Sequence, residues 1–380
     1  MKKLFNMDMY FNSDCYKIIY FDYLIKLSGY TKEAILSELD IPYMSYSRAK
    51  DNSTKGSRIV VDKLNKYFSI NDVDLSKKKE YEEILNSIIY KFYYRNSNLL
   101  EFESILIDYI NENNYLNPLF RLLLFLVRTI KEQSPKKFID ENIDEYSYLL
   151  QFKKNYFISP FYELFTIIEI LYSDVILYEY DKDYSFSENM QGLIYYAYTS
   201  NAYLSNKYDL CLYYARECKD YLLKDCNYER ILAIDLTYFA CLNMIGEYKK
   251  CMRESYFQLL HLIETDKAPD MIRSTKIQYL VACLGAKEYK EVIDSIENFN
   301  TFSSTEYDYL FCASYAYDRK LFNKYLEKFE NEKNRFSNID LEYNYLTIDY
   351  ITRKNKGNLK NEILEKKYNI GFKSVLLKFF

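Results

Sequence analysis

The sequence predicts an all-α protein: an N-terminal helix-turn-helix followed by an α-solenoid of helical hairpins. Three observations carry that prediction. Glycine occurs seven times and proline five times in 380 residues, too few for a sheet protein whose tight turns draw on both. Apolar residues recur at helical spacing along nearly the whole chain, which outweighs the strand propensity of its 45 tyrosines. A turn bearing an aromatic residue returns at a regular interval in the C-terminal half, as stacked hairpins require.

The first helix is expected over 14–27, with Ile18, Phe21, Leu24 and Leu27 apolar and Ser28-Gly29 as its stop. Thr31 is an N-cap candidate for a short helix carrying Ala34, Ile35, Leu36 and Leu39, which ends at Asp40-Ile41-Pro42. A second short helix follows over 43–50. A longer one places Val60, Val61, Leu64, Tyr67 and Phe68 on one face. Two short helices across a three-residue turn, with a supporting helix on either side, outline a helix-turn-helix over 1–70. The polar run 71–80, with three consecutive lysines, reads as a linker.

From 81 onward the chain is helix after helix. Helices are expected over 81–94, 98–113, 116–132, 143–154 and 161–180, with Pro118, Pro135 and Pro160 near helix starts, where proline is tolerated. Further on, Asn206-Lys207-Tyr208, Gly246-Glu247-Tyr248 and Lys287-Glu288-Tyr289 each end one amphipathic segment and begin another. The tyrosines lie 40 and 41 positions apart, and Phe322 marks a weaker copy 33 further on. Three positions past each tyrosine stand Cys211, Cys251 and Val292, small enough for two helices to approach closely; the fourth copy has Tyr325 instead. The repeat region is expected to span 81–358. An apolar tail, 359–380, would cap it or pack against a second subunit.

Charge and chemistry narrow the function. Net charge is −4, yet residues 1–70 hold 11 basic against 8 acidic side chains, a mildly positive segment on an acidic body. That distribution fits a small DNA-contacting module on a larger domain, or equally a solvated charged face. The eight cysteines include no C-x-x-C pair and read as reduced core residues of a cytoplasmic protein. His261 is the only histidine, which removes most catalytic triads and makes a zinc site untenable. No phosphate-binding glycine motif occurs, so neither an enzyme nor a cofactor is expected. The apolar runs at 122–127 and 161–180 are flanked or interrupted by charge, which argues against a membrane span.

The aromatic-turn register resembles the tetratricopeptide repeat, although the chain has no tryptophan. The 1–70 segment resembles the phage-repressor-like, XRE-type DNA-binding domain: Thr31-Lys32-Glu33 opens the scaffold helix, Leu39 and Ile41 bracket the turn, and Lys63-Leu64 with Phe68 and Ile70 match the closing helix. Leu36, Asp40 and Pro42 stand where that family has a small residue, a glycine and a serine-like cap. The two in series resemble cytosolic quorum-sensing receptors of the Rap, Rgg and PlcR type and the arbitrium receptors of temperate phages. This resemblance implies a cytoplasmic homodimer that binds a double-stranded operator and changes its affinity when a short signalling peptide occupies the repeat groove. Tyr43, Ser45, Tyr46 and Arg48 would then face base edges in the major groove, and Lys32, Lys50, Lys55 and Arg58 would contact phosphates. Groove positions carried over from the repeat family imply a lining of Tyr196, Ser200, Tyr203, Leu236, Asn243, Ile277, Val281, Ser314 and Tyr317. The alternative is a repeat adaptor that sequesters a protein partner without touching DNA, with 1–70 as one more hairpin and the aromatics as packing.

Overall fold

The computed structural model describes residues 7–51, 57–94, 99–131, 135–172, 188–265, 269–297, 302–353, 356–366 and 368–380. Among these the chain is all-α, with 22 α-helices and three short 3₁₀ turns. It divides into two compact units, the first made of 1–205 and 216–231, the second of 206–215 and 232–380.

In the first unit α1 (Asp8–Asn12) leads into α2 (Asp14–Leu27), α3 (Lys32–Glu38), α4 (Tyr43–Lys50) and α5 (Ser57–Phe68). The helix α1 was not foreseen, whereas α2 to α5 follow the expected bounds, and Thr31 caps α3 as expected, its hydroxyl accepting from the Ala34 amide at 3.2 Å. Next come α6 (Lys78–Tyr94), α7 (Glu103–Asn111), α8 (Asn117–Lys131), α9 (Pro135–Glu141), α10 (Ile143–Leu150), α11 (Phe161–Tyr172) and α12 (Glu188–Leu204). The short α9 was not foreseen, and α10 stops at Leu150 rather than 154. The expected continuation of α11 beyond Tyr172 lies outside the described residues. The polar stretch 71–80 is fastened: the Asn71 amide donates to the Asn113 carbonyl at 3.0 Å, and Lys77 pairs with Glu112 at 2.8 Å.

Tyrosines hold much of this unit together through their hydroxyls. Tyr10 donates to the Tyr156 carbonyl (2.8 Å), Tyr156 to the Tyr115 carbonyl (2.5 Å) and Tyr115 to the Tyr10 carbonyl (3.0 Å). All three rings are buried. The closed circuit gives partners to three carbonyls, those of Tyr115 and Tyr156 in loops and that of Tyr10 in α1. A second tie closes the end of α6, where Asn227 donates to the Tyr93 carbonyl at 2.7 Å and Arg230 reaches the Phe92 and Tyr93 carbonyls. Those are the orphan acceptors every helix C-terminus leaves.

The helices α13 (Tyr208–Lys224) and α14 (Tyr228–Ile245) contribute to both units. The second unit continues with α15 (Tyr248–Glu264), α16 (Pro269–Ala286), α17 (Tyr289–Glu297), α18 (Ser304–Tyr317), α19 (Arg319–Glu332), α20 (Asn338–Thr352), α21 (Gly357–Glu365) and α22 (Ile370–Phe379). Neighbours in sequence pack as antiparallel pairs, α15 on α16, α17 on α18 and α18 on α19, consistent with a helical repeat. The small residues Cys211, Cys251 and Val292 are fully buried, as the register requires.

The turn landmark has a backbone cause. Asn206, Gly246 and Lys287, each two residues before a landmark tyrosine, adopt φ of 57°, 87° and 65°. In the latter two, the amide after this left-handed residue bonds back across the helix end, Glu247 to the Leu242 carbonyl and Glu288 to the Cys283 carbonyl, both at 2.9 Å. The same turn recurs at Cys226 (φ 53°), ahead of Tyr228, a copy the sequence register passed over.

Seven of the eight cysteines lie in helices, and six are buried. Burial pushes the Cys251 and Cys283 thiols up to about 12. With a thiol-specific reagent at neutral pH, exposed Cys226 should react first and half-buried Cys15 more slowly. The buried six should react only as the protein unfolds, which mass mapping across a denaturant series would read. Early labelling of Cys251 or Cys283 would contradict the packing.

Candidate nucleic-acid interface and repeat groove

The α3–α4 turn is built like the repeat turns. Asp40 sits at φ 50°, the Ile41 amide donates to the Leu36 carbonyl at 2.8 Å, and the Asp40 amide to the Ser37 carbonyl at 3.1 Å. Aspartate tolerates the left-handed region better than most side chains, so it can hold this turn without a glycine. Lys63 on α5 donates to the Leu39 and Asp40 carbonyls at 2.7 and 2.9 Å, closing the end of α3. Pro42 then starts α4 from an extended conformation, with no side-chain cap. Ile35, Leu36, Ile41, Ala49, Val60, Val61 and Leu64 form the buried seam among these helices.

Asp22 on α2 organises the charges. It accepts from the Tyr46 hydroxyl at 2.7 Å and from Lys50 at 2.9 Å, and it pairs with Lys32. Burial works to raise its carboxyl pKa, but bonds from Lys32, Lys50 and Tyr46 outweigh it and hold the group below the usual range. Two expectations change. Tyr46 is 2% exposed and committed to Asp22, so it supports α4 from beneath instead of facing a base. Lys32 and Lys50 are tied inward to one carboxylate, which weakens them as phosphate contacts. Tyr43 and Arg48 do face outward on α4, Ser45 is half-buried at its start, and Arg58 is exposed on α5. Lys55 lies outside the described residues.

The expected groove residues divide the same way. In the first unit Tyr196 is half-buried beneath the Arg230 guanidinium, 4.8 Å from the ring centre, and the Ser200 hydroxyl bonds back to the Tyr196 carbonyl at 3.1 Å. Tyr203 is half-buried. In the second unit Leu236 and Ile277 are half-buried and Tyr317 is exposed, whereas Asn243, Val281 and Ser314 are wholly buried. Those three cannot line an open groove. The Asn243 amide donates to the Gln278 carbonyl and side-chain oxygen, both at 3.1 Å, which ties α14 to α16. The Ser314 hydroxyl is spent on its own helix, at the Leu310 carbonyl.

What covers Asn243 and Val281 is the chain's own α22. Gly371 lies so close that an added Cβ would sit 3.2 Å from Val281 Cγ1 and 3.8 Å from Asn243 Cβ. Phe372 packs edge-on against Tyr309 of α18, at 4.7 Å between centroids, and Val375 and Leu376 are fully buried. The apolar terminus is therefore seated across α14, α16 and α18 within its own unit. One sequence signal could have found this contact: Gly371 and Gly285 are two of only seven glycines, each inside an apolar helical run where only close approach justifies it.

No family model matches the chain, and comparison with curated proteins and with solved structures returns no match. Among the described residues, no helix is long and apolar enough to cross a membrane.

Proposed function

We propose that this chain is a peptide-responsive DNA-binding regulator, with α2 to α5 as an XRE-type head and the later hairpins as tetratricopeptide-like repeats. The observation that carries the reading is α4. It is a short helix set by a tight left-handed turn, buried on one face through Tyr46 and Ala49, and presenting Tyr43 and Arg48 on the other. A helix anchored on one side and polar on the other is what major-groove reading needs. A cytoplasmic homodimer would place two such helices on two half-sites, and a peptide on the repeats would bias one arrangement of the pair. Within the second unit, the half-buried and exposed groove positions Leu236, Ile277 and Tyr317 remain the surfaces for that peptide.

Genomic DNA fragments captured by the full-length protein at low salt test this. Arg48→Ala should weaken retention about tenfold or more, as loss of a base contact does. Asp22→Asn should release Lys32 and Lys50, strengthening binding and steepening its salt dependence by roughly one to two units. If neither the wild type nor Asp22→Asn retains any fragment, the head is not a DNA reader. The second reading, a repeat adaptor that sequesters a protein partner, is favoured by Asp22 itself, because it neutralises two of the head's cations. Under that reading Arg48→Ala leaves partner capture unchanged.

A further inference from the structure

A cleft of about 630 Å³ opens at one end of the second unit, where α18, α20 and α22 finish and α17, α19 and α21 begin. We infer that it receives a carboxylate carried on an apolar residue, the chemistry of a short peptide's C-terminus. This rests on the peptide-responsive reading only for where the ligand comes from.

The charges set the sign of the site. Arg319, Arg353 and Lys356 line the cleft, and Asp318 is the one acidic side chain among its lining residues. Asp318 is already used, since its carboxylate accepts the Lys320 amide at 2.8 Å and caps α19. Arg353 pairs with Asp349 at 2.6 Å, but both side chains are more than 40% exposed, so water screens that pair and the rest of the guanidinium fork can serve a ligand. Arg319 lies over the Tyr315 ring at 3.0 Å and Lys356 near the Tyr350 ring at 4.9 Å. Rings orient these cations without neutralising them, and a stacked guanidinium keeps its N–H edge for an in-plane acceptor. Helix dipoles do not decide the matter, because as many helices end here as begin.

The walls select what carries the anion. Tyr289, Tyr315, Tyr317, Ile351, Phe379 and Phe380 make a largely aromatic lining of a size that holds a few residues. Tyr317 is one of the residues placed on the groove from sequence. The last turn of α18 also offers carbonyls beyond those bonded within the helix, acceptors that a peptide's N–H groups can fill. A bare phosphate would use the cations and waste the walls, while a neutral apolar segment would do the reverse.

Binding to the full-length protein, followed by calorimetry, tests the assignment without reference to DNA. The probes are N-acetyl-leucyl-phenylalanine as the free acid, the same dipeptide as its C-terminal amide, phenylacetate, and inorganic phosphate. The free acid should bind, and the amide should bind at least about tenfold more weakly. Arg319→Ala and Arg353→Ala should each cost about tenfold, with Arg319→Lys recovering only part because its charge cannot bond in a fork. Unchanged thermal melting would show that these exposed substitutions leave the fold intact. Equal binding of acid and amide, or no effect of either arginine, overturns the carboxylate site. Phenylacetate binding as tightly as the dipeptide overturns the peptide source, and phosphate doing so overturns the role of the walls. If the dipeptide binds as described and DNA is never retained, the cleft stands and the regulator reading falls. If DNA is retained but no dipeptide binds, the reverse holds.

Discussion

Gly285→Ala is expected to destabilise the second unit by about 3 kcal/mol, although alanine is the better helix former by about 1 kcal/mol. The reason is Tyr248. A Cβ on Gly285 would fall 2.3 Å from Cδ1, 2.5 Å from Cε1 and 2.6 Å from Cγ of that ring. Those atoms belong to the body of a ring that is 7% exposed and packed by Phe379 at 6.0 Å, so it has nowhere to go. Either α15 and α16 separate or the ring leaves its place. The melting midpoint, followed by circular dichroism, should drop by roughly 10 °C. The double variant with Tyr248→Ala should cost less than the sum of the two singles, because removing the ring removes the clash. A midpoint at or above that of the wild type would mean the ring does not lie on Gly285.

The second large effect is a pH dependence centred on Asp308, buried between α18 and α20. Its carboxylate accepts from the Asn344 amide at 2.8 Å and is bonded to the Thr347 hydroxyl. Thr347 lies 3.2 Å from the Tyr368 hydroxyl, which in turn donates to the Tyr343 carbonyl at 2.8 Å. The path from Asp308 to that carbonyl needs a hydrogen at each link, and Thr347 and Tyr368 bring only one apiece. A proton on Asp308 supplies the missing one. Burial pushes the carboxyl up to about 7, against the lowering by Asn344 and Thr347, and Asp340 adds to the rise. Burial also raises the neighbouring Tyr368 and Cys312, which keeps both neutral over the same range.

The direction follows from proton binding. Between about pH 4 and pH 7 the folded protein holds a proton at Asp308 that the unfolded chain has released. Stability from this group is therefore full below about pH 4 and falls as pH rises to about 7, by about 4 kcal/mol. Asp308→Asn mimics the protonated acid, accepting from Asn344 and donating to Thr347. It should leave stability at pH 5 little changed, raise it at pH 8, and flatten the difference between them. Denaturant titrations of both proteins at the two pH values read this directly. An asparagine variant less stable than wild type at pH 8 would rule out a neutral Asp308.

Much of the helical framework was legible because its causes are local. Helices α2 to α5 start and stop where the apolar spacing, Thr31 and Ser28-Gly29 place them. The repeat register was legible through Tyr208, Tyr248 and Tyr289, since a left-handed residue two positions earlier fixes each turn. The turn at Cys226 has the same backbone but falls between two landmarks of the register, and was passed over. The site residues were less legible. Exposure depends on what lies opposite, and spacing within one helix cannot report it. Nothing in 43–50 says that Tyr46 turns toward Asp22, and nothing in 236–317 says that Asn243 and Val281 lie beneath Gly371.

The sequence by itself determined an all-α chain of consecutive hairpins, a short-helix pair near the N-terminus, and turns at their proper intervals. Helix periodicity, capping residues and glycine scarcity act over a few residues and need no distant partner. Only the tertiary structure decided which polar groups stay available. Asp22 draws Lys32, Lys50 and Tyr46 inward, and α22 closes over Asn243 and Val281. Helix ends that are far apart in sequence bring Arg319, Arg353 and Lys356 to one cleft. Most of these join residues ten to more than a hundred positions apart, where burial and charge pairing rather than local propensity choose the partner.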